Sequence, residues 1–389
     1  MRLLVLPSAL FLTLALDACR DARQSATRGS ARPAAEFIVA AGDSAYWVAS
    51  DTSGLRVRGA PLELARVDGQ FVEVYVVDDE RSFGEADLVG QSVYKRDLRT
   101  GDSVRVFTDS IVPDIARRYA RAHPDDQPLA RGDEPSDEPR LRAAATLEIG
   151  AAHGPFVSYS LHTDVERPNV PLWHTSRVGV LDLRTGRPAS LSDVAGDAAG
   201  SIEQQRDRGL REMADSIRAS RDERGRRASA MLSNYRFDAG SFSITTAGGG
   251  PAIAYAVPGS GTGDAGHVLP LAPIPFAEPK WWHDVAPSLP VTSTSGSRDV
   301  WRHGAYSVVI RYDSSGTGRL VLRDSVSREW AVMPLSEPAT RIYWLDRPAF
   351  DAATRHALVR AFEEAAAYGT ETHIAGAPRV RLQLASMPR

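Results

Sequence analysis

The sequence has 389 residues, of which 43% are hydrophobic and 24% are charged, and its formal net charge is −3. These values are typical of a globular chain of two or three domains, so they exclude wholesale disorder and argue against a nucleic-acid-binding protein. With one cysteine, the core must form without disulfides. Nearly all of the 46 basic residues are arginine, because only Lys95 and Lys280 are lysines.

The N-terminal segment is typical of an export signal. Leu3–Leu16 is mostly apolar and would be about 21 Å long as a helix, short of the roughly 30 Å hydrocarbon core of a bilayer. Residues 1–18 are therefore predicted to be a cleaved signal peptide. Residues 19–35 are small and polar, and we expect them to form a flexible tether.

The end of this signal carries a more specific pattern. Residues 16–19 (LDAC) resemble the lipobox of bacterial lipoproteins, in which the cysteine is lipid-modified and begins the mature chain. The resemblance implies that Cys19 carries lipid and holds the protein at a membrane outside the cytoplasm, in the periplasm or on the cell surface. The alternative is an ordinary secretory peptide cut near Ala18, with no role for the cysteine.

The first part of the body is predicted to be a β-rich domain over residues 36–140. Short apolar runs are separated there by turn residues, and Phe71–Val77 is the clearest strand because it is rich in valine and aromatics. Ile111–His123 keeps one face apolar, which predicts a helix. The Pro- and Asp-rich residues 123–140 predict a loop and a domain boundary.

The next part, residues 141–275, is predicted to be an α+β domain. Phe156–His162 and Ser176–Leu183 have the composition of strands. Apolar residues recur at three- and four-residue spacing within Ser201–Ala219, which predicts a helix.

The last part is predicted to be a linker over residues 276–298 and a C-terminal α+β segment over residues 299–389. The segment contains short strand candidates and one helix, Phe350–Ala366. Strands cluster along the whole chain and helices interrupt them rarely. We therefore expect an α+β fold of mostly antiparallel β-sheets with a few packed helices, arranged in two or three subdomains.

The middle of the chain also resembles a known family. Gly150–Gly154 (GAAHG) is similar to a Gly-Gly-Ala-His-Gly loop, although Ala151 stands where glycine is usual. Val178–Val194 is similar to a strand, a Thr-Gly turn and an exit into a helix, and Phe242–Leu271 is similar to a closing hairpin. Together, residues 146–275 resemble the bacterial extracytoplasmic family called the domain of unknown function 3298. Its relatives include the outer part of a lysozyme-sensing anti-sigma factor, so the resemblance implies an envelope glycan or a lysozyme-like protein as ligand.

No catalytic set is recognisable in the sequence. The nine histidines do not fall in metal-binding spacing, so neither a metal site nor a cofactor is predicted. Ser92–Lys95 has the Ser-x-x-Lys spacing of penicillin-recognising enzymes, but it lies in a strand-like run and is rejected. His153 is the best candidate for a functional histidine. The alternative is that its ring only caps the loop through a hydrogen bond.

Trp281, Trp282 and His283 form the second candidate. Two adjacent indoles beside prolines could stack on a sugar or anchor a partner. The alternative is that they cover a sheet edge or a seam between domains.

The sequence therefore predicts a membrane-anchored binding protein without catalytic residues, with His153, Trp281, Trp282 and His283 at its ligand site. Its expected ligand is a glycan or protein of the cell envelope, and no nucleic acid. One alternative is a cell-wall hydrolase that uses scattered carboxylates. A second alternative is a β-propeller-like scaffold, because Asp97–Gly101 and Asp182–Gly186 repeat the same turn, Asp-Leu-Arg-Thr-Gly.

Overall fold

A computed structural model describes most of the chain from residue 36 onward. The described residues are 36–51, 54–130, 133–219, 223–247, 250–258, 268–282, 296–303, 305–313, 318–335, 341–345, 351–365, 370–375 and 382–383. The predicted signal peptide, the tether, Cys19 and His283 lie outside these residues. The described helices, α1 to α5, are Ile111–Ala122, Leu191–Ala195, Ala199–Arg218, Glu223–Asn234 and Ala352–Glu364. None of them is both long and apolar enough to cross a membrane.

The strands carry most of the fold, which confirms the predicted α+β class with mostly antiparallel sheets. Strands β1 to β12 are Glu36–Ala41, Ser44–Asp51, Gly54–Ala60, Glu63–Val67, Gln70–Glu80, Ala86–Asp97, Ser103–Thr108, Leu141–His153, Phe156–Arg167, Val170–Asp182, Arg187–Pro188 and Ser243–Ala247. Strands β13 to β23 are Gly250–Ala254, Ala256–Pro258, Val268–Pro270, Ile274–Pro275, Gly296–His303, Tyr306–Tyr312, Gly318–Asp324, Glu329–Pro334, Arg341–Trp344, Thr370–Ala375 and Leu382–Gln383.

An eight-stranded sheet, here called the main sheet, occupies the middle of the chain. Its order is β11-β10-β9-β8-β6-β5-β4, and β7 pairs with the second half of β6. The first half of β6 pairs in parallel with β8, from Ala86 opposite Leu141 to Val89 opposite Ala144. The boundary predicted at residue 140 therefore falls inside one hydrogen-bonded sheet. The loop predicted over residues 123–140 is present, and it carries the chain from α1 to β8.

A β-sandwich joins the two ends of the described chain. The order of one sheet, the terminal sheet, is β21-β1-β2-β3-β22, so strands from the predicted N-terminal and C-terminal segments pair with each other. The second sheet, the C-terminal sheet, has the order β17-β18-β19-β20-β23. Apolar side chains such as Phe37, Val48, Val308 and Leu322 fill the space between the two sheets. Burial of these side chains is the main driving force for the sandwich.

Helix α5 covers the other face of the terminal sheet. Leu358 and Phe362 are fully buried against Ile38 and Trp47. The guanidinium of Arg355 pairs with the buried carboxylate of Glu36, which also accepts a hydrogen bond from the Trp47 indole at 2.8 Å. This helix begins two residues after the predicted start because Asp351 caps it, accepting from the Thr354 amide at 2.7 Å.

Helix α1 packs on the main sheet close to its predicted bounds. The carboxylate of Asp109 accepts hydrogen bonds from the amides of Ile111 (3.0 Å) and Val112 (2.9 Å), which satisfies two free donors of the first turn. Val112, Ala116 and Tyr119 are buried in the core of this sheet. The helix covers β6 and β8, and β9 and β10 continue beyond it as a long hairpin.

The repeated Asp-Leu-Arg-Thr-Gly turn does not mark propeller blades, because the sheets are open and no radial array exists among the described strands. Both copies are tight turns of the same local chemistry. Asp97 accepts from the Arg99 amide at 2.7 Å, and Asp182 accepts from the Arg184 amide at 2.9 Å. Gly101 and Gly186 then adopt positive φ, of 82° and 67°. A turn of this kind recurs wherever a hairpin needs it, so the propeller alternative was wrong.

Candidate functional site

His153, the last residue of β8, is buried beside the turn to β9. Its Nδ1 lies 3.0 Å from the Ala151 carbonyl oxygen, and its Nε2 lies 3.2 Å from the Thr246 hydroxyl. Because a carbonyl only accepts, Nδ1 carries the proton, and Nε2 accepts from the hydroxyl of β12. Burial lowers the pKa of His153 to about 4, so the ring is neutral near pH 7. This is the loop-capping role that the sequence left open as the alternative.

Gly154 explains the close approach of this loop to Trp282. It has a φ of 59°, and a Cβ built on it would lie 2.9 Å from the Cβ of Trp282. Both features require glycine at the fifth position of the Gly150–Gly154 loop. Ala151, by contrast, does not adopt positive φ, so the residue at this position does not need to be glycine.

The two adjacent tryptophans have different environments. Trp282 is buried and packs on Phe156, with ring centroids 5.5 Å apart. Trp281 is 45% exposed, and the guanidinium of Arg184 lies over its ring at 4.5 Å. Arg184 is held there by Asp182, at 3.0 and 2.7 Å. One face of the Trp281 ring is thus already occupied, and the pair closes the end of the main sheet.

The structure therefore brings three predicted site residues, His153, Trp281 and Trp282, to the same end of the main sheet. They line no open aromatic cleft, and His283 lies outside the described residues. A cavity of about 400 Å³ adjoins the loop, between β12 and the strands β8 to β10. It is lined by His153 and by small polar or apolar side chains that include Ser158, Val178 and Thr245.

A larger concavity, here called the α1 groove, lies between α1 and the β9–β10 hairpin. Its volume is about 990 Å³, at the upper end of the range typical of ligand sites. Its floor includes Leu141, Val165 and Trp173 from three adjacent strands, of which Val165 and Trp173 are directly opposite each other. Trp173 is 49% exposed, and α1 makes its main sheet contacts with β6 and β8.

The rim of the α1 groove is basic. Four arginines line it, Arg117, Arg118, Arg140 and Arg167, and the only acidic residue among the lining side chains is Asp114. Asp114 pairs with Arg117 at 3.1 Å and with Arg118 at 2.7 Å. The groove thus combines an apolar floor with a net positive rim, which suits a ligand that carries both apolar groups and negative charge.

The described residues offer little for catalysis or metal binding at these cavities. Across the described part of the chain, no three His, Cys, Asp or Glu side chains are grouped to hold a metal ion. The α1 groove has one carboxylate, and the second cavity has only Glu148. Two carboxylates facing one ligand, as a glycosidase uses, are therefore not present at either described cavity.

Ser92 and Lys95 lie on strand β6, as predicted, and each is engaged elsewhere. The Ser92 hydroxyl lies 3.1 Å from that of Thr108 on β7. The Lys95 ammonium donates to the Leu183 carbonyl oxygen at 2.5 Å. The Ser-x-x-Lys spacing in this chain therefore serves strand packing.

The α1 groove is not lined by His153, Trp281 or Trp282. The local composition predicts strands over Phe156–His162 and Ser176–Leu183 and leaves the residues between them unassigned, whereas β9 and β10 run through to a turn at Pro168 and Asn169. A signal was present in Val170–Trp173 (VPLW), where apolar residues directly follow a turn.

Comparison with known proteins gives no assignment for this chain: no family model and no curated protein sequence matches it.

Proposed function

We propose that this chain is a membrane-anchored extracytoplasmic binding protein that holds an acidic ligand of the cell envelope in the α1 groove. The main support for this proposal is the groove itself, which has an apolar floor and four arginines at its rim. It is large enough for a small molecule or a peptide segment. The lipobox at Cys19 supports the anchor. Arginine and tryptophan are also the side chains most often found at the energetic centre of protein interfaces.

A protein ligand fits this groove better than a neutral glycan. A neutral sugar offers no charge to the arginine rim of the groove. The arginine rim instead favours carboxylates, which guanidinium groups bind in a bidentate manner. The resemblance of residues 146–275 to extracytoplasmic domains points the same way, since it implies a lysozyme-like protein as one possible ligand.

Co-sedimentation with purified cell-wall sacculi, which carry acidic peptides, tests this function. The probe is the chain from residue 20 onward, and the key variant is Arg117→Glu/Arg167→Glu. We expect the wild type to pellet with sacculi and the variant to bind at least roughly tenfold more weakly, since reversed charges repel an acidic ligand. The matched control is Arg208→Glu/Arg211→Glu, which makes the same charge change on exposed positions of α3.

Three outcomes would count against the proposal. Equal losses in the two variants would show that net charge alone drives binding. Unchanged binding of the groove variant would remove the groove as the site. Release of soluble wall fragments into the supernatant would establish the hydrolase alternative instead.

A further inference from the structure

Strand β10 is the most exposed long strand among those the structure describes. From Val170 to Arg177 every side chain except that of Thr175 is exposed. These side chains belong to both faces of the sheet, so β10 is exposed on both faces over this stretch. On one side β10 pairs with β9 from Trp173 to Asp182. On its other side, among the described residues, only Leu181 and Asp182 pair with a strand, the short β11. Within the described part of the chain, the outer edge of β10 is thus open over most of its length.

The hydrogen bonds of the neighbouring segment show which backbone groups face this edge. The Val180 carbonyl oxygen accepts from the Ala189 amide at 2.7 Å, and Ala189 directly follows β11 on the outer side. Backbone groups alternate along a regular antiparallel ladder. The N–H and C=O groups of His174, Ser176 and Val178 therefore also point outward, where no described strand accepts or donates to them.

Strand edges in soluble proteins are normally protected against pairing by proline, lysine, bulges or covering segments. In β10 the proline and the irregular register lie at its start, between Val170 and Trp173. The stretch from His174 to Gly179 (HTSRVG) contains one charged residue, Arg177, and no proline. With one charge, no proline and a regular register, this stretch can pair with an added strand.

The two cavities of the site lie on opposite faces of this same edge. Trp173 faces the α1 groove, and Val178 faces the cavity of about 400 Å³ beside β12. Odd and even residues of a strand point to opposite faces, so a strand added to β10 would send alternate side chains toward the two cavities. Main-chain hydrogen bonds would supply affinity, and the cavities would select the side chains.

We propose that an extended, acidic segment of a partner protein adds as a strand to the outer edge of β10. The inference rests on the proposed binding function and specifies how its ligand is held. Charge selects this occupant over a second copy of the chain, because pairing two β10 edges would bring two arginine-lined grooves together. An acidic segment would instead meet Arg167 and Arg177 with opposite charge.

The test uses synthetic peptides and the chain from residue 20 onward. The probe is a blocked octapeptide of alternating leucine and glutamate, with affinity measured by calorimetry. We expect saturable binding, and a version with lysine in place of glutamate should not bind. A version with N-methyl groups on alternate residues should bind about tenfold more weakly, since each lost main-chain hydrogen bond leaves a buried partner unsatisfied.

A matched pair of variants tests the edge itself. Ser176→Pro removes an outward N–H and leaves the ladder to β9 intact, which is where proline is tolerated in sheets. It should weaken peptide binding about tenfold, whereas Ser176→Ala should not. Hydrogen exchange of the wild type provides a readout that needs no variant: the amides of His174, Ser176 and Val178 should slow when peptide is added.

The outcomes separate this inference from the proposed function. If N-methylation of the peptide and Ser176→Pro both leave the peptide affinity unchanged, strand addition is wrong, and the proposed binding of an acidic ligand in the α1 groove still stands. No peptide binding, together with sacculus binding that depends on Arg117 and Arg167, would also overturn strand addition alone. Wild-type dimers that Ser176→Pro dissociates in analytical ultracentrifugation would make a second copy the occupant. If Arg117→Glu/Arg167→Glu changes neither sacculus binding nor peptide binding, the proposed function is wrong as well.

Discussion

His153 shows how a single residue fixes the loop at the end of the main sheet. Its ring donates to the Ala151 carbonyl and accepts from the Thr246 hydroxyl, so it links the end of β8 to strand β12. In the neutral ring Nδ1 donates and Nε2 accepts. In the protonated ring both nitrogens donate, so the Thr246 hydroxyl would have to turn and accept, and a charge would lie in a buried site.

This geometry predicts a dependence of stability on pH. The pKa of His153 is lowered by burial to about 4 in the folded chain, against 6.5 when unperturbed. As the pH falls below about 6.5, the unfolded chain binds this proton first, so stability decreases until about pH 4 and then levels off. The total loss from this residue is at most about 3 kcal/mol.

Urea denaturation from pH 7 to pH 4 measures this loss. The comparison is with His153→Gln, whose amide can still bond to the Thr246 hydroxyl but does not titrate. The difference in unfolding free energy between the two proteins should shrink as the pH falls. If it stays constant across this range, His153 is not the group responsible.

At the scale of elements, one buried ion pair attaches α5 to the terminal sheet. The Glu36 side chain is 3% exposed and binds both Arg355 and the Trp47 indole. Removing only the cation leaves a buried carboxylate without its charge partner, which costs far more than the net contribution of the pair itself.

We therefore expect Arg355→Met to lower the free energy of unfolding by about 3 kcal/mol. Arg142→Met is the matched control: Arg142 pairs with Asp87 at 3.3 Å but is 51% exposed, so its loss should cost less than about 1 kcal/mol. Glu36→Gln combined with Arg355→Met should recover part of the loss, because no unpaired charge remains. Equal effects of the two single variants in urea denaturation would contradict this interpretation.

In the whole molecule, strands from the start and the end of the described chain lie side by side in one sheet. The terminal sheet contains β1 to β3 together with β21 and β22, and its core is shared with the C-terminal sheet. Residues 36–60 therefore depend on contacts with residues more than two hundred positions later in the chain.

A chain that ends at residue 298 tests this dependence. Without the C-terminal sheet, side chains such as Phe37 and Val48 lose the surface that buries them, and the edges of β1 and β3 lose their partner strands. We expect hydrogen exchange in residues 36–60 to lose its protection and the chain to aggregate. Native-like protection of these residues would instead show that the N-terminal strands fold without the C-terminal segment.

Several elements were predictable because their signals are local. The apolar face over residues 111–123 predicted α1, and the valine-rich Phe71–Val77 predicted the core of β5. In contrast, α4 has little local signal, because its first turns from Glu223 onward are polar. Weak periodicity and a glycine hid this helix, which forms by packing on α3.

The candidate site was predictable only in part. His153 and Trp282 are close to the same loop, as expected of one site, and the structure explains Gly154 through its contact with Trp282. The groove and the open edge of β10 could not be read from the sequence. Leu172 and Trp173 are exposed, although apolar residues of this kind are also typical of a buried strand. Only the surrounding elements of the fold show whether such a strand is covered or exposed.

Local properties of this protein follow from its amino-acid sequence alone: the α+β class, the positions of α1, α3 and α5, and the two Asp-Leu-Arg-Thr-Gly turns. These follow from backbone preferences and from periodicity within a few residues. The pairing of the strands, the sandwich shared by the two ends of the described chain, and the groove and unpaired edge among the described residues emerge only when the chain is folded. Strand pairing is set by contacts between distant residues, and burial depends on what lies across the sheet, which no local pattern encodes.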